Sequence, residues 1–128
     1  MKRILVVEDD PNIMNLILIL LERQGYEVMT APSAEEGIAL AAARLPDLIL
    51  MDVALPGIDG LEATRRLKAA EATGRIPIVA VTAQAMRADE EKASRAGCDG
   101  FIVKPLATRE FLRAVSRFLG EDSLASNR

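Results

Sequence analysis

The chain has 128 residues, half of them hydrophobic, which is the size of one domain with a full apolar core. Its formal net charge of −3 argues against non-specific nucleic-acid binding, which depends on lysine and arginine neutralising phosphates. The sequence contains no histidine, which excludes histidine-based acid–base catalysis and histidine metal ligands.

The first half of the chain predicts three strands that alternate with two helices. In order, these are a strand at Arg3–Val7, a helix from Pro11 to about Gln24, a weak strand at Tyr26–Thr30, a helix from Ser33 to about Arg44 and a strand at Asp47–Asp52. Asp10 and Ser33 stand where side chains of this type cap helix N-termini, and Glu36 completes a capping box with Ser33. Between Asp47 and Asp52 the run is entirely apolar, which is typical of a strand buried on both faces.

The predicted first helix carries two apolar stripes. One stripe, which we expect to face the core, comprises Ile13, Leu16, Ile17 and Leu20, and the other comprises Met14, Leu18 and Leu21. The second stripe is either a docking surface or a second buried face, because a helix packed by both a sheet and a neighbouring helix is apolar all round.

The second half of the chain predicts two more strands and three more helices. In order, these are a helix that starts after Asp59 and runs to about Ala72, a strand at Ile76–Val81, a helix from about Met86 to Ala96, a strand at Gly100–Val103 and a helix that Thr108 caps and Gly120 ends. Five strands alternating with five helices indicate an α/β fold, a doubly wound parallel sheet with helices on both faces. We expect residues 1–120 to form this domain and residues 121–128 to form a polar tail.

Chemically active side chains follow four of the five predicted strands. They are Glu8, Asp9 and Asp10 after the first, Asp52 at the end of the third, Thr82 and Ala83 after the fourth, and Lys104 after the fifth. The carboxyl ends of parallel strands meet at one edge of the sheet, where ligands bind. Clustered carboxylates repel one another and favour a hard cation such as Mg²⁺. A lysine and a hydroxyl group at the same edge suit a phosphoryl group.

Each of these residues also has a purely structural interpretation. In that interpretation Glu8 and Asp9 are charges at a helix start, Asp52 forms an Asx turn, Thr82 is a turn or cap residue, and Lys104 is a solvated lysine. The combination at one edge of the sheet favours the functional interpretation.

Five motifs carry a family resemblance over nearly the whole chain, from Lys2 to about Leu119. They are Val7–Asp10, Asp47–Asp52, Leu55–Gly60, Val81–Ala83 and Val103–Pro105. As an ordered set they resemble the receiver domains of bacterial two-component response regulators (CheY-like), and the pattern looks most similar to single-domain regulators of the DivK type. The resemblance implies a flavodoxin-like sheet with strand order 2-1-3-4-5.

The resemblance also implies a role for each site residue. Asp52 is the expected phosphoacceptor, and Glu8, Asp9 and Asp52, with the backbone carbonyl of Ala54, are the expected Mg²⁺ ligands. The expected phosphoryl-binding and switch residues are Thr82, Ala83, Lys104 and Phe101, and the Lys104–Pro105 peptide bond is expected to be cis. Ala54 and Gln84 flank the path of the hydrolytic water, and Ala54 cannot orient water, so we expect slow self-dephosphorylation.

The expected partners follow from the same resemblance. A histidine kinase or histidine phosphotransfer protein would bind along the first helix, and a downstream protein target would bind the face of the fourth helix, fifth strand and fifth helix. Neither a nucleic acid nor a membrane is expected as a partner. With one cysteine, Cys98, and no signal peptide or long apolar run, the chain is predicted to be cytoplasmic.

Four other functions are possible in principle. A flavodoxin-type binding module would need a phosphate loop where Glu8–Pro11 stands, and an aspartyl phosphatase would need a second aspartate where Ala54 stands. An unphosphorylated scaffold would not need every acid and Lys104. A receiver domain excised from a hybrid histidine kinase or a larger regulator remains the alternative to a free-standing regulator. In either case the prediction is a phosphoacceptor that catalyses its own phosphoryl transfer and dephosphorylation.

Overall fold

The computed structural model describes residues 2–83, 86–104 and 106–121 of the chain. The elements are, in order, β1 (Arg3–Val7), α1 (Pro11–Arg23), β2 (Glu27–Ala31), α2 (Ala34–Arg44), β3 (Leu48–Asp52), α3 (Gly60–Ala69), β4 (Ile78–Thr82), α4 (Arg87–Ala96), β5 (Gly100–Val103) and α5 (Thr108–Phe118). None of the helices described is both long and apolar enough to cross a membrane.

The strands form one parallel sheet in the order β2-β1-β3-β4-β5. The predicted fold class and strand order are therefore confirmed. Every residue of β3 and β4 is buried, because helices cover both faces of the sheet at its centre. The weak strand β2 lies at one edge of the sheet.

Two hydrophobic cores form, one on each face of the sheet. Alternate residues of β1 and β3 point to opposite faces, so that Leu5 and Ile49 belong to one core and Ile4 and Leu50 to the other. Helices α2 and α3 cover the first core, while α1 and α5 cover the second. This arrangement fixes the central strands and holds their carboxyl ends side by side.

Three helix starts follow the capping residues in the sequence. Asp10, Ser33 and Asp59 each accept a hydrogen bond from a backbone N–H group two or three residues further on, at 2.8, 3.2 and 2.9 Å. The predicted starts of α1, α2 and α3 are therefore confirmed to within a residue.

The predicted cap of α5 is wrong. Thr108 is the first residue of the helix, and Ala107 takes the cap position with φ −80° and ψ 117° and no side-chain hydrogen bond. The burial of Phe111 and Val115 against the sheet stabilises this helix without a side-chain cap.

Two neighbouring boundaries also differ from the prediction. Helix α3 ends at Ala69 rather than Ala72, because the chain becomes extended at the next residue and the Thr73 hydroxyl donates a 2.6 Å hydrogen bond back to the Leu67 carbonyl. Strand β4 begins at Ile78 rather than Ile76, whose N–H is held in the preceding turn by Thr73.

The predicted apolar stripes of α1 are only partly correct. Ile17 is buried as predicted, but Leu16, expected in the core, has 45% of its surface exposed. Leu21, assigned to the second stripe, is fully buried, and Met14 packs against the core. For these two residues the buried-face interpretation is confirmed. The sequence alone did not show which face of α1 points to the core, because nearly every face of the helix carries an apolar residue.

Candidate functional site

The carboxyl ends of four neighbouring strands bring the predicted site residues together. Glu8 follows β1, Asp52 and Thr82 are the last residues of β3 and β4, and Lys104 follows β5. The strand register places Asp52 opposite Val81, so these ends lie level with one another at one edge of the sheet. The short apolar strands thereby deliver polar side chains to a single crevice.

Two carboxylates and one ammonium group form the centre of the site. Only 3% of the surface of Glu8 and 4% of that of Asp52 is exposed to solvent. The Nζ atom of Lys104 lies 3.1 Å from Oε1 of Glu8 and 3.6 Å from Oδ2 of Asp52. Lys104 therefore contacts Glu8 more closely than the predicted phosphoacceptor.

Backbone N–H groups orient both carboxylates. The Ala54 N–H donates to Oδ1 of Asp52 at 3.1 Å, and the Asp10 N–H donates to Oε2 of Glu8 at the same distance. The contact at Asp52 has the Asx-turn spacing that the structural interpretation predicted. It engages only one carboxylate oxygen, however, and the other lies toward Lys104.

Glu8 carries an unbalanced buried charge. Desolvation by burial raises the pKa of Glu8, and the nearby Asp52 carboxylate raises it further, while the Asp10 N–H and Lys104 act in the opposite direction. Its Oε1 atom accepts no hydrogen bond of good geometry from the described residues, although Lys104 lies within ion-pair distance. A buried oxygen of this kind is costly unless a further positive ligand is bound.

The donor set fits a hard divalent cation. The buried Glu8 and Asp52 and the exposed Asp9 each offer a carboxylate oxygen, and these oxygens lie within 4.8 Å of one another. Three carboxylates and one ammonium group leave an excess of negative charge, which a bound cation would neutralise. All-oxygen ligands of this kind suit Mg²⁺.

The remaining predicted residues lie around this centre. Thr82 is buried at the end of β4, and Ala83 next to it is exposed. Phe101 in β5 is half-buried and lines a cavity of about 260 Å³ between β5 and α5. Pro105 and Gln84 lie outside the described residues, so the cis peptide bond stays a prediction.

One feature of the site was not predicted from the sequence. The pairing of Lys104 with Glu8 depends on side-chain geometry, and the only signal for it in the sequence is that both residues follow strands that end at the same edge.

Comparison with known proteins identifies the family. The family model for the response regulator receiver domain matches residues 4–116. The chain belongs to this family. It is 42% identical over 120 residues to the polar-differentiation response regulator DivK of Brucella ovis, a match that covers 94% of this chain and 98% of that protein.

Solved structures of receiver domains share the same fold. The receiver domain of a sensor histidine kinase from Pseudomonas aeruginosa, with a magnesium ion coordinated in its active-site cleft, is 36% identical with a TM-score of 0.87, and the match covers 93% of this chain and 98% of that one. The chemotaxis protein CheY4 of Vibrio cholerae is 27% identical with a TM-score of 0.88, and the match covers 92% and 98%. The protein is therefore a receiver domain of two-component signalling.

Proposed function

We propose that this receiver domain is a phosphorylation-dependent switch in which Asp52 accepts the phosphoryl group. The observation that carries the proposal is the buried Asp52 carboxylate at the end of β3, with one oxygen held by the Ala54 N–H and the other 3.6 Å from Lys104. A carboxylate oxygen attacks phosphorus, the leaving group departs with its electron pair, and Asp52 becomes an acyl phosphate.

Mg²⁺ is the cofactor that the site supports best. Glu8, Asp9 and Asp52, with the backbone carbonyl of Ala54, would hold it, which accords with the acidic cluster and with the magnesium ion in the Pseudomonas relative. When bound, the cation neutralises the carboxylates and stabilises negative charge on the phosphoryl oxygens.

The protein's own groups bind the phosphoryl oxygens. Lys104 is close enough to Asp52 for its ammonium group to leave Glu8 and pair with a phosphoryl oxygen. The Thr82 hydroxyl donates a hydrogen bond to another phosphoryl oxygen. The small side chain of Ala83 leaves room for the group. Phosphorylation adds close to two negative charges, so the conformation in which these residues approach Asp52 becomes the more stable one.

The switch is expected to reach its partners through two surfaces. A histidine kinase or phosphotransfer protein would bind along α1, where Leu16 and Ile19 are each exposed by nearly half. A downstream protein would bind the face formed by α4, β5 and α5. Phe101, which lines the cavity between β5 and α5, would change rotamer and couple this face to the site.

The proposal holds for either arrangement of the chain. Relatives include a DivK regulator whose length the match covers almost fully and a receiver domain that is part of a sensor histidine kinase. In both arrangements the domain works in the cytoplasm, catalyses its own phosphoryl transfer and dephosphorylation, and has its boundary near residue 120.

Intact mass spectrometry after incubation with Mg²⁺ and acetyl phosphate tests the proposal. We expect the wild type to gain one phosphoryl group, and we expect EDTA or the Asp52→Asn substitution to abolish the gain. Equal phosphorylation of the Asp52→Asn variant would place the acceptor elsewhere and refute the proposal.

A further inference from the structure

Gly60, the first residue of α3, lies directly against the Asp52 peptide. A Cβ atom at this position would overlap the carbonyl oxygen of Asp52 and would lie 2.9 Å from its carbonyl carbon and 3.0 Å from Cγ of Met51. The obstructing atoms belong largely to the backbone, so they cannot rotate away as a flexible side chain would. Any residue larger than glycine must therefore displace the end of β3 or the start of α3.

Strand pairing holds the end of β3 on both sides. Strand β3 pairs with β1 on one side and β4 on the other, and every residue of it is buried. The strand pairing continues one residue beyond it, where the Val53 N–H donates to the Val81 carbonyl at 3.1 Å. A substitution at Gly60 would therefore displace α3 and the loop of residues 53–59 that leads into it.

That loop carries the donor that orients the Asp52 carboxylate. Gly60 closes the loop by donating its N–H to the Val53 carbonyl at 3.1 Å, and the Ala54 N–H within the loop donates to Oδ1 of Asp52. If α3 moves outward, the loop moves with it and the Ala54 N–H is withdrawn from Asp52.

We infer that Gly60 is a positioning residue for phosphoryl transfer, because its lack of a side chain seats α3 against the Asp52 peptide and so fixes the loop that orients the Asp52 carboxylate. The inference rests on the proposed function of Asp52. It assigns Gly60 no contact with the phosphoryl group or the cation.

The Gly60→Ala variant tests the inference, with Gly100→Ala as its matched control. A Cβ atom at Gly100 would also overlap its neighbours, since it would lie 2.7 and 3.0 Å from ring atoms of Phe118. Gly100, however, lies at the amino end of β5, whereas the site lies at the carboxyl ends of the strands. Both variants are expected to lose stability in urea unfolding. Only Gly60→Ala is expected to slow phosphorylation by acetyl phosphate, by about 10- to 100-fold, as small displacements of reacting groups do.

Magnesium binding gives a second measurement that does not depend on phosphorylation. Isothermal titration calorimetry of each variant with MgCl₂ is expected to show weaker binding for Gly60→Ala and an unchanged dissociation constant for Gly100→Ala. If Gly60→Ala matches Gly100→Ala in both rate and magnesium affinity, Gly60 is only a packing residue and the inference is refuted.

Two further arms decide the remaining cases. If Gly60→Ala does not fold in buffer alone, the wild type and both glycine variants are compared in sucrose, which is excluded from protein surfaces and favours the folded state. Slower phosphorylation of Gly60→Ala than of Gly100→Ala under these conditions supports the inference, and equal rates refute it. If the wild type neither binds Mg²⁺ nor accepts a phosphoryl group, the proposed function itself fails and the inference fails with it.

Discussion

Two lysine residues, one at the amino ends of the strands (the amino edge) and one at their carboxyl ends (the carboxyl edge), lie in clusters that differ in charge balance. At the amino edge, Lys68 Nζ donates to the Ile76 carbonyl at 2.8 Å and to Oδ2 of Asp99 at 2.9 Å. The same Asp99 oxygen accepts the Ile78 N–H at 2.9 Å. One carboxylate and one ammonium group balance each other here; Asp99 also binds the first residue of β4, and Lys68 binds the turn just before it.

At the carboxyl edge the corresponding balance is missing. Lys104 faces Glu8 and Asp52, which are both buried, and Asp9 adds a third carboxylate beside them. Oε1 of Glu8 lacks a well-aligned hydrogen-bond donor among the described residues. The amino-edge cluster therefore balances its own charges, whereas the carboxyl-edge cluster holds an excess of buried negative charge that costs stability. Such a cost is typical of functional sites.

Removing each lysine should give the largest contrast between the two clusters. Lys104→Met leaves two buried carboxylates without a counter-charge and is expected to lower the free energy of unfolding by about 3 kcal/mol in EDTA. Lys68→Met removes a more exposed pair and is expected to cost about 1 kcal/mol. Urea unfolding monitored by circular dichroism measures both.

Magnesium separates the two variants further. A cation bound to the native state stabilises it by mass action, so we expect Mg²⁺ to restore much of the stability of Lys104→Met and little of that of Lys68→Met. If Mg²⁺ rescues both variants equally, the two clusters do not differ in the way described above.

Asp52→Asn should stabilise the protein when no divalent cation is present. The substitution removes one of the two buried carboxylates and leaves Glu8 paired with Lys104, so we expect the free energy of unfolding in EDTA to rise by about 1 kcal/mol. With saturating Mg²⁺ the wild type should gain more than the variant. A loss of stability in EDTA would mean that the carboxylates do not repel one another in the native state.

The position of the site residues was predictable from the sequence because it follows from chain topology. Once the strands are known to be parallel, Glu8, Asp52, Thr82 and Lys104 must share an edge. Contacts that depend on side-chain geometry were not predictable. The sequence shows that Lys104 lies near two carboxylates, but its shorter distance to Glu8 depends on rotamers.

Helix boundaries and faces show the same limit. Asp10, Ser33 and Asp59 mark helix starts through a local hydrogen bond, so the sequence alone located them. The start of α5 at Thr108 is set by packing, and no local signal marks it. The inward face of α1 was ambiguous because the residues that flank Ile17 are also apolar.

The smallest expected effect concerns Tyr26, whose hydroxyl donates a 2.9 Å hydrogen bond to Oε1 of Glu121. Like the amino-edge cluster this contact is satisfied, but it joins the chain after α5 to the segment after α1. Burial, followed by the hydrogen bond and charge of Glu121, raises the pKa of Tyr26 from 10.0 to about 12. Because the folded pKa is the higher one, the stability gained is fully present below pH 10 and is lost as the pH rises through 12.

Titration of tyrosinate absorbance measures this shift directly, since the chain has one tyrosine and no tryptophan. We expect a midpoint near 12 in the wild type, with circular dichroism on the same samples to separate titration from unfolding. Glu121→Gln should lower the midpoint but keep it above 10, because burial is the largest cause of the shift. A midpoint near 10 in the folded wild type would show that Tyr26 is solvated, and the hydrogen bond between Tyr26 and Glu121 would then not count as a satisfied contact.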